Sequence, residues 1–342
     1  MTNARAITLA SRPQGQPVPE NFQLTDLSLS DPAEGQFLVR NIWLSLDPYM
    51  RGRMDDAKSY ADPVAIGGVM EGGAVGEVVA SAHPEFPTGT IVTGQFGWAT
   101  HALSDGVGIR RVDPALAPIS TALGVLGMPG ITAYVGLTDI LAAQPGETVV
   151  VSAATGAVGS LAAQLGKARG CRVIGVAGGA KKCAYAVDEL GLDACLDHRA
   201  HDVKSLAAAL KEAAPKGVDC YFENVGGKTT EAVLTRMNTQ GRIALCGMIA
   251  WYSGKGIADA APLPMVWRNI LTRRLRVQGF IIFDHFDRYP AFLKEVAPMV
   301  ADGRIRFRET VAEGLENAPN AFLSLLNGGN FGKQLVRVGP DP

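Results

Sequence analysis

The chain has 342 residues, 47% hydrophobic and 19% charged, with a formal net charge of −1 at pH 7. That length exceeds one ordinary hydrophobic core, so two domains are expected. The near-neutral balance offers no electrostatic reason for nucleic acid or an anionic membrane as partner.

The first third carries short strand-like runs broken by Gly and Pro: GQFLVRNIWLSLDPYM, then VMEGGAVGEVVASA, then GTIVTGQFGWATHAL. Frequent turn signals with β-branched residues predict an antiparallel, barrel-like β domain. The text changes near Leu123, where apolar runs begin to alternate with helical stretches: ETVVVSAA, AVGSLAAQLGKARG, CRVIGVAGG, KKCAYAVDELG. The alternation continues through GVDCYFENVGG and GRIALCGMIA to LRVQGFIIFDH. Near-continuous apolar strands separated by amphipathic helices predict a parallel sheet covered on both faces, with about six strands as in a dinucleotide-binding sheet. After Gly303 the chain returns to turn-rich strand text. The predicted domains are therefore 1–124 with 305–342, and 125–304.

VVVSAATGAVGS, residues 149–160, sits where strand gives way to helix. The small residues Ala154, Gly156 and Gly159 suit a backbone that turns tightly and approaches a pyrophosphate at a helix N-terminus. A glycine pattern alone is weak, but here a strand precedes it and a helix follows. The second strand bears on the cofactor. An NAD site usually ends that strand in Asp or Glu for the ribose hydroxyls. CRVIGVAGGAKKC ends instead in Gly178, Gly179 and Ala180, followed by Lys181 and Lys182. No carboxylate repels a 2′-phosphate, and two ammonium groups are available to pair with it, which predicts NADPH. The plainer alternative is that both lysines solvate a helix start.

A tetrahedral zinc site needs three or four ligands. No cysteine precedes Cys171, and the early His83 and His101 lack cysteine partners at useful spacing. Cys195, His198 and His201 fall at a strand end inside the dinucleotide domain, and zinc-free chemistry is expected. The five cysteines are odd in number and scattered. No signal-peptide apolar region opens the chain, and no run approaches the roughly 20 residues of a transmembrane helix. A cytoplasmic protein is expected.

The chain resembles the zinc-independent medium-chain dehydrogenase/reductase family, in the group of leukotriene/prostaglandin reductases, plant double-bond reductases and bacterial curcumin reductases, the last being the nearest likeness. The matching text is NIWLSLDPYMRGRM (41–54), IGGVMEGGAVGEVV (66–79), GMPGITAYVGL (127–137), VSAATGAVGS (151–160), CYFENVGG (220–227), GRIALCGMIAWYS (241–253), QGFIIFDH (278–285) and GGNFGKQLVRV (328–338). It spans essentially the whole chain. The resemblance implies a doubly wound parallel Rossmann sheet plus a GroES-like, barrel-like β domain. It also implies NADPH-dependent reduction of the carbon–carbon double bond of apolar enones and enals, usually by a homodimer.

Carried over residue by residue, Thr155, Gly156, Ala157, Val158 and Gly159 match the pyrophosphate turn, with Gly178 at the end of the second strand. Lys182 matches the lysine on the 2′-phosphate. Asn224, Cys246, Tyr252, Phe280, Ile282 and Asn330 match cofactor-contacting positions. His198 stands where mammalian members carry Tyr, and its protonated imidazole is expected to pair with the phosphate. Trp251 replaces a small residue and is expected to narrow the pocket mouth.

Conjugate reduction builds enolate charge on the substrate's carbonyl oxygen, so donors must face it. Without a metal the natural donors are phenols and the nicotinamide ribose hydroxyl. Tyr252 is the expected oxyanion donor or proton relay, with Tyr49 and Tyr60 shaping the site and Met54, Met128, Trp251 and Phe283 as candidate walls. Packing is an equal alternative for Tyr49, and solvent is an alternative proton source. Quinone reduction on the same scaffold and cofactor binding without turnover are the rival readings.

Overall fold

The alternating text before Gly124 folds as short antiparallel strands. β1 (Thr2–Leu9) pairs with β2 (Phe22–Leu29) as a separate hairpin-like ribbon. β3 (Phe37–Ser45), the short helix α1 (Met50–Arg53), β4 (Ala74–Ser81), β5 (Ile91–Gly94), β6 (His101–Ser104) and β7 (Arg110–Arg111) follow. β3 and β4 approach so closely that a Cβ at Gly76 would lie 2.4 Å from the Arg40 carbonyl oxygen, so only glycine fits there.

The computed structural model describes residues 1–341 and divides into two compact units: Met1–Gly124 with the chain from Glu309 onward, and Val125–Arg308. The second unit holds α2 (Met128–Val135), β8 (Thr148–Ser152), α3 (Gly159–Ala168), β9 (Arg172–Ala177), α4 (Ala180–Asp188), β10 (Ala194–Asp197) and α5 (Val203–Ala213). Then come β11 (Val218–Glu223), α6 (Gly227–Leu234), β12 (Met237–Leu245), α7 (Leu263–Arg273), β13 (Arg276–Gly279) and α8 (Tyr289–Ala301). Its strands form one parallel sheet in the order β10-β9-β8-β11-β12-β13. This is the doubly wound order, with its crevice where the winding reverses between β8 and β11. β8 is buried along its whole length, which explains its unbroken TVVVS text. Gly166 keeps α3 close to the sheet, since a Cβ there would meet Val173 Cγ2 at 3.0 Å.

β14 (Glu309–Glu313), α9 (Ala318–Leu326) and β15 (Lys333–Arg337) return to the first unit, completing a sheet in the order β14-β15-β3-β4-β5-β7, with β6 on β3. The return falls at Glu309, slightly later than the sequence text suggested. Residues before it are tied to the second unit: Gln164 Oε1 accepts from Arg306 N at 2.8 Å, Gln164 Nε2 donates to the Arg306 carbonyl at 2.8 Å, and Ile305 is buried. The first unit's core includes Leu44, Leu46, Met50, Met54, Trp98 and Phe322, with Phe22 stacked on Trp98 at 5.7 Å.

Candidate active site

The turn after β8 is built by close contacts that exclude side chains. Gly156 N donates to the Ala153 carbonyl at 2.8 Å, with Ala153 at φ 49°. A Cβ at Gly159, the first residue of α3, would sit 2.3 Å from the Ala153 oxygen. Thr155 and Gly159 are buried, while Gly156, Ala157 and Val158 form the half-exposed rim at the helix start. A helix N-terminus directs backbone N–H groups outward and favours a phosphate.

One strand over, the chain after β9 is hemmed in by cations. A Cβ at Gly178 would lie 2.9 Å from His198 Nε2 and 3.0 Å from Arg199 Nε, so ring and guanidinium close onto bare backbone. Lys182, in the first turn of α4, is half-buried, and its ammonium is held below the usual lysine range by burial and then by Arg199. His198 is likewise pulled down, first by burial and then by Lys228 and Arg199. The free protein therefore disfavours the protonated ring, and the imidazolium expected opposite the phosphate has to form as the cofactor binds. Lys182 and His198, each depressed by burial and by cationic neighbours, mark a pocket short of an anion. The nearby carboxylate, Asp197, accepts from Gly179 N at 2.7 Å and Arg199 N at 2.9 Å and so shapes the loop. A 2′-phosphate fits this set, and the pyrophosphate of a dinucleotide fits the α3 turn. Sequence reading missed Arg199 and Lys228, because sheet order and not chain proximity brings Arg199 to Lys182 and Lys228 to His198.

The ends of β8, β11 and β12 converge through Glu223. Its buried carboxylate accepts from Gly226 N at 2.7 Å and Ser152 Oγ at 3.1 Å, and also from Val225 N and Thr230 Oγ1. Asn224 donates through N to Ser152 Oγ at 2.7 Å and through Nδ2 to the Ser152 carbonyl at 2.8 Å, so its amide is turned onto β8. Cys246 N donates to the Glu223 carbonyl at 2.9 Å. Burial, with Glu223 nearby, pushes the Cys246 thiol up to about 12, which keeps it protonated. Glu223, which the sequence did not single out, organises the turn.

Beyond β12, the Tyr252 hydroxyl accepts from Met248 N at 3.2 Å, and a Cβ at Gly247 would come within 3.0 Å of that oxygen. The Trp251 ring lies over Gly226, whose missing Cβ would be 2.8 Å from two ring carbons, so Trp251 covers the turn after β11. Phe280 is buried edge-on to Phe222 at 6.5 Å, and Ile282 is buried beside it in sequence. Met128 opens α2 half-buried, and Phe283 is exposed.

In the first unit Arg53 gathers two of the expected tyrosines. Its guanidinium lies 4.2 Å from the Tyr60 ring centroid and 5.8 Å from that of Tyr49, and it pairs with Glu71 at 2.6 Å. Burial, then Asp47 and Glu71, raises the Tyr49 phenol well above its ordinary range, so it stays a neutral donor. Tyr49 also packs against the barrel core, while Tyr60 is 51% exposed. Met54, expected as a pocket wall, is wholly buried in that core. Asn330 Nδ2 donates to the Gly332 carbonyl at 2.7 Å, closing the turn into β15. Among the described residues no three His, Cys, Asp or Glu side chains stand together as a metal set. Nor is any helix among them long and apolar enough to cross a membrane.

Two family models match the chain, one for the N-terminal domain of oxidoreductases over residues 5–112 and one described as zinc-binding dehydrogenase over residues 157–298. The chain is 49% identical over 339 residues to an NADPH-dependent curcumin reductase of Escherichia coli, covering 98% of this chain and 97% of that protein. It is 42% identical over 343 residues to prostaglandin reductase 1 of Rattus norvegicus, covering 99% and 100%. The crystal structure of CurA from Vibrio vulnificus in complex with NADPH superposes with a TM-score of 0.93 at 50% identity, covering 98% and 100%.

Proposed function

Because the chain belongs to the medium-chain dehydrogenase/reductase family, in the group of curcumin and prostaglandin reductases, we propose that it reduces the carbon–carbon double bond of α,β-unsaturated ketones and aldehydes with NADPH. The observation that carries the cofactor choice is the cation pocket on Gly178: imidazole and guanidinium against bare backbone, Lys182 alongside, and no free acid at the strand end. The turn at Thr155–Gly159 takes the pyrophosphate, and Asn224, Cys246, Tyr252, Phe280 and Ile282 line the remaining cofactor path, with Asn330 carried over as a cofactor contact on the resemblance alone.

When bound, NADPH supplies the hydride that the substrate's β-carbon accepts. The protein's part is to orient the enone and meet the charge that gathers on its carbonyl oxygen. Tyr252 donates to that oxygen, since a phenolic O–H is a hydrogen-bond donor in its neutral form. The Met248 N–H fixes its oxygen in place. Tyr49 and Tyr60, held by Arg53, shape the substrate side, and burial keeps Tyr49 neutral. Zinc takes no part in this reading, since the chain before Cys171 contains no cysteine to ligate it.

The enzyme is proposed to be cytoplasmic and homodimeric. β13 ends its sheet with all four residues exposed, and Trp267, Leu271 and Val277 are exposed on and beside it. An open sheet edge with apolar neighbours invites a second copy across a twofold axis.

The test is the loss of NADPH absorbance at 340 nm with an enone, an alkenal, curcumin and a quinone, repeated with NADH. Enone turnover with strong NADPH preference supports the reading. Turnover of the quinone alone makes the chain a quinone reductase instead, and equal use of NADH removes the cation-pocket argument.

A further inference from the structure

Two thiols border the cation pocket. Cys183 follows Lys182 in the first turn of α4, and Cys195 lies on β10, two residues before Asp197 and three before His198. α4 packs against β10, and the two thiols are hydrogen-bonded to each other. Their elements hold opposite sides of the same pocket. Glycine at 175 makes room for this, because a Cβ there would meet Cys195 Sγ at 3.0 Å. Both cysteines are half-buried, unlike Cys171 and Cys220, which are buried.

We propose that Cys183 and Cys195 are a reversible disulfide site, oxidised by hydroperoxides, whose closure weakens NADPH binding. This rests on the reading of Lys182 and His198 as the 2′-phosphate site. The Cys195 S–H donates to the Cys183 sulfur, which favours the thiolate at Cys183 and the thiol at Cys195. Cys183 is therefore the nucleophile and Cys195 the resolving group.

The Cys183 thiolate attacks one oxygen of the hydroperoxide. An S–O bond forms, the O–O bond breaks, and the leaving oxygen takes up a proton as alcohol or water. Cys183 is thereby oxidised to a sulfenic acid while the peroxide is reduced. The Cys195 sulfur then attacks the Cys183 sulfur, forming the S–S bond and releasing water, and a dithiol reverses the change. Closure draws the sulfurs from contact to about 2.05 Å, pulling the first turn of α4 toward β10. Lys182 moves with it and loses its place opposite His198 and Arg199.

The test treats the whole protein with hydrogen peroxide, counts free thiols, maps the disulfide by peptide mass spectrometry, and titrates NADPH by fluorescence before and after. The expected result is a fall from five free thiols to three, a Cys183–Cys195 peptide, and roughly tenfold weaker NADPH binding, all restored by dithiothreitol. Cys195→Ser should bind NADPH as the parent does and keep its affinity under peroxide, and Cys183→Ser should form no mapped disulfide. Five thiols surviving treatment, a disulfide elsewhere, or a mapped Cys183–Cys195 bond without change in affinity each overturns the proposal. Lys182→Ala separates the two ideas. If it weakens NADPH while the mapped disulfide does not, the switch fails and the pocket stands; if it leaves NADPH binding unchanged, the pocket reading fails.

Discussion

Lys333 and Asp47, 286 positions apart in sequence, form a buried ion pair: Lys333 Nζ donates to Asp47 Oδ1 at 2.9 Å and to the Leu46 carbonyl at 2.7 Å. The pair ties the start of β15 to the segment that carries Tyr49, and Ser45 Oγ donates to the other carboxylate oxygen. Burial pulls the ammonium below the usual lysine range, and Asp47 holds it up. Removing one partner leaves a charge without compensation in the interior. Lys333→Ala is expected to cost about 3–5 kcal/mol, visible as an earlier thermal melt. The Lys333→Ala, Asp47→Ala double variant should lose less than the sum of the single ones, and simple additivity would show that the pair is not coupled.

Lys182→Ala should raise the KM for NADPH while leaving that for NADH nearly unchanged. A charge-assisted hydrogen bond contributes about 1.5–3 kcal/mol, so roughly 10- to 100-fold of cofactor preference should vanish. Equal losses with both cofactors would assign Lys182 to folding and not to selectivity.

The depressed pKa of His198 has a definite sign. Folded, the imidazole releases its proton more readily than in the unfolded chain, so its contribution to stability is full above about pH 6.5 and falls away as pH drops toward the lower folded value. A dianionic phosphate beside the ring reverses the shift, so NADPH binding should take up a proton. Affinity is expected to strengthen between about pH 8 and about pH 6.5, before the phosphate itself protonates. Calorimetry in two buffers of different ionisation enthalpy reads this uptake directly. His198→Asn should abolish it, and NADH should show none in either protein.

Tyr252→Phe should lower kcat for an enone by roughly 10²- to 10³-fold, the usual loss for one oxyanion donor. NADPH affinity should stay within a factor of about three. Rapid-mixing measurement of hydride transfer separates this from slow product release. An unchanged rate would hand the donor role to another hydroxyl, with solvent as the proton source.

Much of the second unit is legible in the sequence. The apolar runs VVV (149–151) and VIGVA (173–177) exist because β8 and all of β9 after Arg172 are buried in the sheet interior, and the sequence pattern records that directly. The turn at Gly156 and Gly159 was legible because only small residues survive beside the Ala153 carbonyl. What escaped were relationships created by strand order. Arg199 reaches Gly178 because β10 lies beside β9, and Glu223 reaches Ser152 because β11 lies beside β8. The direction of a shift was also hidden: residue type gives His198 an ordinary imidazole, and only its burial beside Lys228 and Arg199 pulls its pKa down.

The crowding over Gly178 bears on how readily this lineage can change its cofactor. The usual route to NADH places an acid at the end of the second strand. Here a side chain at 178 would collide with His198 and Arg199, and the one acid at hand, Asp197, already holds Gly179 N and Arg199 N. A single Gly178→Asp exchange should therefore yield a protein poor with both cofactors. A working NADH enzyme needs His198 and Arg199 to swing aside or to be replaced in the same step. The path between the two specificities crosses a valley of weak intermediates, and that valley keeps the chain committed to its phosphate.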